Sequence, residues 1–222
     1  MLTVLDGNQL GALLADAALA RARPGAKPLV LSSVVSSPLV SQLAAARGAH
    51  AERTHTGFKW LWHAALELEA AGVGAFCFAY EEALGYSVFS AVRDKDGIAA
   101  GRALAELAAS LTVRGESLFD RLFELHREHG LWMSAARNIT LGGSGAAERV
   151  VTRLDAIVAA GELRVANERA LRIFDYRRGA ETRAPWLGAA PLLELELDSG
   201  ARLLIRPSGT EPKLKLYGHV RR

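Results

Sequence analysis

The sequence is poor in cysteine, and this scarcity excludes one large class of proteins. A single cysteine, Cys77, occurs among 222 residues, and it lies within the apolar stretch AFCFAY. One thiol cannot form an internal disulfide framework of the kind that stabilises small secreted domains. The apolar neighbours indicate a buried, reduced thiol, and we expect a cytoplasmic protein.

Long apolar segments are missing as well. No apolar run approaches the roughly 20 residues that a membrane-spanning helix requires. The opening segment, MLTVLDGNQL, lacks the basic stretch and the apolar core of a secretion signal. The sequence therefore predicts no membrane partner.

The charge balance is only mildly basic. The formal net charge is +3 and the sequence pI is about 9.2, which suits an anionic ligand without requiring nucleic acid. The four tyrosines are not interleaved with a basic run, as they would be on an RNA-binding surface. The basic end, Arg221-Arg222, is too short to indicate a nucleic-acid partner. Nucleic-acid binding through the basic C-terminal strand is kept only as an alternative.

The first part of the chain alternates helical and strand-like segments. DGNQLGALLADAALARAR places apolar residues three and four apart, as in an amphipathic helix, and KPLVLSSVV is typical of a buried strand. Half of the residues are hydrophobic and 23% are charged, so a chain of this length can form a proper core. We predict an α/β class: a three-layer α/β/α domain with a mixed, mostly parallel sheet over residues 1–130.

After about Gly130 the pattern changes. One helical segment, GSGAAERVVTRLDAIVAAG, is followed by the strand-like segments LRIFDY, LLELELD, RLLIRP and KLKLYGHV. The leucines of LLELELD alternate with Glu194 and Glu196, so we expect one solvated sheet face. We predict a smaller α+β domain over residues 131–222, with an antiparallel sheet and a helical cover. The helix just before Gly130 is expected to bridge the two domains.

The motif RPSGTEPK, between the last two strand-like segments, combines groups that are typical of a phosphate cradle. Arg206 can bind phosphate oxygens bidentately, and Ser208 and Thr210 can donate hydroxyl groups. Gly209 allows successive backbone N–H groups to point at one anion. The alternative is a polar β-turn with Arg206 solvated. The residue types favour the phosphate site.

Separate stretches in both halves of the chain resemble one known family. RPSGTEPKLKLY is similar to the phosphate-binding loop in the last domain of the α-D-phosphohexomutases, the phosphoglucomutase/phosphomannomutase family. TGFKW and YEEALGYSVFSAVRDKDGIAA resemble parts of the third domain of that family, in the same order and at similar spacing. The resemblance covers essentially the whole chain. It implies that residues 1–130 correspond to the third domain, for sugar recognition, and residues 131–222 to the fourth, for phosphate binding.

For the phosphate loop, the resemblance implies a ligand and its contacts. Arg206, Ser208, Gly209 and Thr210 are expected to hold the phosphate that is not being transferred. The expected partner is a hexose phosphate, that is, glucose or mannose 1- or 6-phosphate. The sequence does not distinguish the two sugars, because they share the hydroxyl groups that the sugar loop would contact.

For the sugar loop, the resemblance implies a role for YEEALG. Glu81 matches the family glutamate that accepts hydrogen bonds from ring hydroxyls. Ala83 stands where many members have serine, so one hydroxyl contact is missing or is supplied otherwise, and Gly85 is expected to permit the tight turn. The alternative for Glu81-Glu82 is a solvated acidic pair.

Four further residues are possible substrate contacts on the same resemblance: Thr56, Gly57, Lys59 and Lys95. Each of the two lysines has an ordinary alternative. Lys59 lies between aromatic residues and could simply extend to the surface. Lys95 belongs to the mixed charge run RDKD, which is more often a salt-bridged surface than a site.

The groups that carry out the family reaction are not found in this sequence. The reaction uses a phosphoserine, usually within Thr-Ala-Ser-His-Asn-Pro, and a Mg²⁺ ion held by an Asp-Gly-Asp-x-Asp-Arg loop, because hard cations prefer carboxylate oxygens. Neither motif occurs here. The serine pair Ser36-Ser37 lacks the flanking residues and is interpreted as a helix cap. No catalytic residue, metal site or cofactor is therefore predicted in this chain.

The resemblance also implies what a full-length family enzyme needs, namely Mg²⁺ and a hexose 1,6-bisphosphate activator. LTVLDGNQLGALLAD is similar to the stretch that follows the metal loop, so we expect the chain to begin where the third domain begins. We expect it to be inactive alone and to have the N-terminal half as a possible partner in trans. The alternative is a stand-alone, non-catalytic module that binds sugar phosphates.

Overall fold

The computed structural model of the protein describes residues 3–23, 25–142, 145–160, 163–207 and 213–222, with backbone only at 147 and 148. The chain divides into two compact units, Met1–Leu131 and Trp132–Arg222. No helix in the described part of the chain is both long and apolar enough to cross a membrane.

The first unit is built around a four-stranded sheet. In chain order its elements are α1 (Gly7–Ala20), β1 (Pro28–Ser33), α2 (Leu39–Ala46), β2 (His50–Thr54), α3 (Phe58–Ala70), β3 (Ala75–Glu81), β4 (Gly85–Ser87), α4 (Gly97–Val113) and α5 (Leu118–His129). The strands lie in the order β2-β1-β3-β4, with the first three parallel and β4 antiparallel to β3. The predicted mixed, mostly parallel sheet is confirmed.

Helices cover both faces of this sheet. On β3, Phe76 pairs with Leu29 of β1, and Tyr80 pairs with Ser32. These two partners are three residues apart on β1 and therefore lie on opposite faces of the sheet, and so do the two rings. The ring of Trp62 in α3 stacks on Phe76 with centroids 4.3 Å apart. On the other face α1 approaches Tyr80 and also packs against α2, α4 and α5. All six residues of β1 are buried, as expected for a central strand between two helical layers.

Two strands of this sheet have little signal in the sequence. Four of the five residues of β2, HAERT, are only partly buried, and the segment has no alternation of apolar and polar residues. Strand β4 has three residues, which is too short for any periodicity. Both strands form because β1 and β3 offer them a hydrogen-bonding edge.

The second unit is an antiparallel sheet with one long helix. Its elements are β5 (Trp132–Thr140), α6 (Ala146–Ala159), β6 (Arg164–Val165), β7 (Glu168–Asp175), two short 3-10 turns (Ala180–Thr182 and Pro185–Leu187), β8 (Leu193–Leu197), β9 (Arg202–Pro207) and β10 (Lys213–Arg221). The strand order is β5-β10-β9-β8-β7-β6. The apolar side chains of α6 pack on a cluster of buried leucines from β8 and β10. The α+β class with a helical cover is confirmed.

The expectation of a solvated face at LLELELD is wrong at Glu194. This residue is only 2% exposed, although it alternates with the core leucines. Its carboxylate accepts hydrogen bonds from the Tyr176 hydroxyl at 2.9 Å and from Arg202 Nε at 2.9 Å, and Arg202 Nη2 lies 2.6 Å away. A carboxylate with such partners can be buried at acceptable cost. Local alternation does not reveal them.

Candidate functional site

The candidate site of the first unit lies where its parallel strands end. In open sheets of this kind, ligands bind beyond the carboxyl ends of the strands. Strand β1 leads into Ser33–Ser37, β2 into His55–Gly57, and β3 into the turn Glu81–Gly85, which we call the acidic turn. The stretches TGFKW and YEEALG, distant in sequence, therefore meet at one edge of the sheet.

Glu81 connects these two stretches directly. Its Oε1 accepts a hydrogen bond of 2.5 Å from the backbone N–H of Gly57. Among the described residues, its Oε2 has no recorded hydrogen-bond donor. The side chain is partly exposed, so one oxygen is fixed by the protein and the other can accept a hydrogen bond from a ligand.

Gly57 has a backbone conformation that suits this contact. It precedes the first residue of α3 and has φ of 117°, a value that L-residues rarely adopt. Its neighbour Thr56 is partly buried. Lys59, in the first turn of α3, is exposed, and its recorded contact is with the Trp60 ring, whose centroid lies 4.9 Å from Nζ. The structure therefore connects Gly57, and not Lys59, to the acidic turn.

Glu82, the second glutamate of the turn, is bound by the protein itself. Its Oε2 lies 3.1 Å from Ser33 Oγ and 3.4 Å from Ser36 Oγ. Burial raises the pKa of Glu82, and hydrogen bonds from its backbone, Ser33 and Ser36 oppose this shift. The two serines are contacts that sequence reasoning missed. The helix-cap interpretation of Ser36-Ser37 is wrong, because Pro38 is the N-cap residue of α2 and no side chain caps that helix. Ser37 Oγ accepts a hydrogen bond from the Leu39 N–H at 3.3 Å from a position before the cap.

The tight part of the acidic turn is formed by Leu84 and not by Gly85. Leu84 has φ of 61° and is 63% exposed, whereas Gly85 has no left-handed φ. Gly85 is needed for space, because an added Cβ would lie 2.8 Å from Phe58 Cε2 and 3.1 Å from Lys95 Cδ. The predicted importance of Gly85 thus has a different physical reason. Ala83, at the tip, is exposed.

Lys95 lies next to the acidic turn, as its stem packs against Gly85. Its Nζ is 4.7 Å from the centroid of the Phe58 ring and 3.1 Å from Asp94 Oδ1. Hydrogen bonds from the backbone amide and ammonium of Lys95 hold the pKa of Asp94 below its usual value. The predicted surface ion pair of Lys95 is therefore present, and Lys95 also borders the candidate site; its contact with a substrate stays a prediction.

In the second unit, the phosphate motif includes the end of β9 and the first residue of β10. Arg206 is partly buried, while the predicted contacts Ser208, Gly209 and Thr210 lie outside the described residues. Arg206 pairs in register with Lys215, and directly opposed residues of antiparallel strands point to the same face. Lys213, two residues before Lys215, shares this face.

This arrangement of cations would suit an anionic ligand. Like charges that face each other across two strands reduce stability, and a bound anion would offset the repulsion between Arg206 and Lys215. Sequence reasoning did not select Lys215, although the alternation in KLKLY contained the signal. Within the described ranges, no group of three or more His, Cys, Asp or Glu side chains could hold a metal ion.

Comparison with known proteins gives consistent matches over both units. Residues 6–127 match the sequence model described as "Phosphoglucomutase/phosphomannomutase, alpha/beta/alpha domain III", and residues 162–221 match "Phosphoglucomutase/phosphomannomutase, C-terminal domain". A probable phosphoribomutase of Schizosaccharomyces pombe is 33% identical over 95% of this chain, and a probable phosphomannomutase of Haemophilus influenzae is 31% identical over 96%. A human phosphopentomutase is 30% identical over 98%. The chain spans 38–40% of the length of these relatives.

Solved structures have the same fold. The parafusin (phosphoglucomutase) of Paramecium, in its open form, aligns over 99% of this chain and 37% of its own, with a TM-score of 0.70 and 20% identity. A putative phosphomannomutase of Thermus thermophilus aligns over 98% of this chain and 37% of its own, with a TM-score of 0.63 and 18% identity. At these identities the likeness concerns the fold alone.

Proposed function

Because this chain belongs to the phosphoglucomutase/phosphomannomutase family, we propose that it recognises a hexose phosphate as part of a phosphohexomutase. The observation that carries this proposal is the environment of Glu81. One of its oxygens is held by the Gly57 amide, and the other faces no donor among the described residues. A carboxylate oriented in this way is suited to accept a hydrogen bond from a sugar hydroxyl.

We propose that the second unit holds the phosphate that is not transferred. Arg206 and Lys215 supply positive charge on one sheet face, and the loop residues Ser208, Gly209 and Thr210 would add hydroxyl and amide donors. Charge-assisted hydrogen bonds to phosphate are about twice as strong as neutral ones. Binding both the hydroxyls and the distal phosphate fixes the orientation of the sugar, which is how remote contacts contribute to a reaction elsewhere on it.

The chemical step is assigned to groups that this sequence does not contain. Neither the phosphoserine motif nor the Asp-rich magnesium loop occurs in it, and Mg²⁺ and a hexose 1,6-bisphosphate would act with those groups. We therefore propose that the chain alone does not interconvert sugar phosphates and that the remaining family domains would complete the site in trans. The competing proposal is a non-catalytic sugar-phosphate binding module.

The test separates sugar contacts from phosphate contacts by calorimetric titration of the chain with glucose 1-phosphate and with inorganic phosphate. Arg206→Ala is expected to lower the affinity for both ligands by about tenfold or more, and Lys215→Ala should lower it by a smaller factor. Glu81→Gln is expected to lower the affinity for glucose 1-phosphate and to leave the affinity for inorganic phosphate unchanged. The exposed residues Arg153 and Glu67 provide matched controls, Arg153→Ala and Glu67→Gln. Equal effects of Glu81→Gln on both ligands would overturn the assignment of Glu81.

A pentose phosphate is the second candidate ligand. The names of two relatives favour it: the probable phosphoribomutase is 33% identical to this chain and the human phosphopentomutase 30%. Ala83, in place of the serine of many members, removes one hydroxyl-binding group from the acidic turn. Ribose 1-phosphate titrated beside glucose 1-phosphate decides between them, since the preferred sugar should bind more tightly and lose more affinity in Glu81→Gln.

A further inference from the structure

Glu82 is a partly buried carboxyl whose recorded side-chain partners are hydroxyl groups. Its Oε2 lies 3.1 Å from Ser33 Oγ and 3.4 Å from Ser36 Oγ, and the two hydroxyls are themselves 2.7 Å apart. Both serines are buried, at 0% and 2% exposure. In the described part of the chain no ion pair with a cation is recorded for Glu82. The serines therefore supply the polar partners that this carboxyl loses when it leaves water.

The backbone of Glu82 is fixed at the same place. Its N–H donates to Ser36 Oγ at 3.2 Å, so the residue is tied to the β1–α2 connection through both main chain and side chain. Its carbonyl oxygen touches the start of α1, where a Cβ added to Gly7 would lie 1.8 Å away. The Tyr86 hydroxyl donates to the Gly7 carbonyl at 3.0 Å. Two separate segments thus hold the acidic turn at Glu82.

The neighbouring Glu81 has less support of its own. Successive side chains of a strand point to opposite sides, so Glu81 is directed away from the serines, and its recorded hydrogen bond is the one from Gly57. The position of the Glu81 carboxylate therefore depends on where the backbone of the turn is held. That position is set one residue later, at Glu82.

We propose that Glu82 is a positioning residue for the candidate site. It holds the acidic turn on Ser33 and Ser36, so that Glu81 keeps its hydrogen bond to Gly57 and presents its other oxygen to a sugar hydroxyl. The presentation of an oxygen to a sugar rests on the proposed function. The hold of Glu82 on the turn and on the Glu81–Gly57 hydrogen bond concerns the unliganded chain and can be measured without any ligand.

The test measures the hydrogen-exchange rate of the Gly57 amide by NMR, with the Leu31 amide of the buried strand β1 as the reference for global stability. Glu82→Ala is expected to speed exchange at Gly57 by about tenfold relative to Leu31. Glu82→Gln should restore slow exchange, because its amide oxygen can still accept from both serines. Ser36→Ala should give an intermediate exchange rate at Gly57, and this variant replaces Glu82→Ala in the test if Glu82→Ala does not fold. Glu67→Ala on the exposed side of α3 is the control.

Unchanged Gly57 exchange in both Glu82→Ala and Ser36→Ala would overturn the proposal, as would a Glu82→Gln variant that exchanges as fast as Glu82→Ala. The affinity for glucose 1-phosphate is then measured in the same variants, and it should fall with Glu82→Ala and recover with Glu82→Gln. If neither Glu81→Gln nor Arg206→Ala alters that affinity, the proposed function fails while the exchange result stands. The two failures are thereby distinguished.

Discussion

Two adjacent glutamates in the acidic turn have different surroundings. Glu81 is partly exposed and has one oxygen held by the Gly57 amide. Glu82 is held by Ser33 and Ser36. The roles proposed for the two glutamates therefore differ: Glu81 is free to contact a ligand through one oxygen, whereas Glu82 is held by hydroxyl groups and fixes the turn.

The raised pKa of Glu82 predicts a pH-dependent gain in stability for Glu82→Gln. Burial raises this pKa above its ordinary value of 4.5, so the folded chain binds the proton more tightly than the unfolded chain. The contribution of Glu82 to the free energy of unfolding therefore falls as pH rises through and above 4.5. Glu82→Gln should have a more favourable effect on the melting temperature at pH 8 than at pH 4.5. A difference from the unmutated chain that is the same at both pH values would contradict this.

The turn conformation predicts opposite effects at two neighbouring positions. Leu84 has φ of 61° and little burial, so Leu84→Gly should raise the free energy of unfolding by up to about 1 kcal/mol. Gly85 is in contact with Phe58 and Lys95, so Gly85→Ala should lower it by about 1–3 kcal/mol. Denaturant unfolding of both variants measures this. A Gly85→Ala variant as stable as the unmutated chain would show that a Cβ at this position does not clash with its neighbours.

At the scale of the elements, one carboxylate ties three helices of the first unit together. Asp16 of α1 is 5% exposed. It accepts hydrogen bonds from Arg47 Nη2, just after α2, at 2.7 Å, and from Arg121 of α5 at 2.8 and 2.9 Å. The hydrogen bonds to Asp16 are the main reason that the pKa of Arg121 is raised. The helices on this face are therefore held by ion pairs as well as by apolar packing.

Asp16→Asn is expected to destabilise the first unit strongly. Removing one partner of a buried ion pair costs about 3–5 kcal/mol. We expect a loss at the lower end of this range, because Arg121 keeps Glu124 at 2.8 Å and Arg47 is partly exposed. Denaturant unfolding should show this loss, while Asp198→Asn, in the exposed turn after β8, should stay within about 0.5 kcal/mol of the unmutated chain. A loss of similar size in both variants would mean that Asp16 contributes no more than a surface carboxylate.

The elements differ in how far their sequences predict them. Helix α1 and strands β1 and β3 have clear periodicity and buried faces, so their positions follow from the sequence. Strands β2 and β4 do not, because their pairing with β1 and β3 decides them rather than their own side chains. Strand β5 is largely exposed along its length, which removes the alternation that marks a half-buried strand.

The residues of the candidate site that belong to a sequence motif could be predicted, whereas those that reach the site through contacts between distant parts of the sequence could not. Glu81, Gly57 and Lys95 follow from the stretches YEEALG, TGFKW and RDKD. Ser33 and Ser36 do not, because they meet Glu82 across 46–49 residues of sequence. A pair of small polar residues before a proline is equally consistent with a helix cap.

At the scale of the whole molecule, the chain has candidate recognition groups in both of its units. The first has the acidic turn, and the second has Arg206, within the phosphate motif, and Lys215 opposite it. The chain spans about two fifths of the length of its relatives, and its sequence holds neither the phosphoserine motif nor the magnesium loop. Recognition, which we propose for this chain, is therefore distinct from phosphoryl transfer, which we do not.

One experiment tests this separation directly. Glucose 1-phosphate is titrated into the chain in a calorimeter, and the same sample, supplied with Mg²⁺ and glucose 1,6-bisphosphate, is assayed for glucose 6-phosphate. We expect saturable binding that Arg206→Ala weakens by about tenfold or more, with no product formed. Product formation by the chain alone, or binding that Arg206→Ala leaves unchanged, would contradict it.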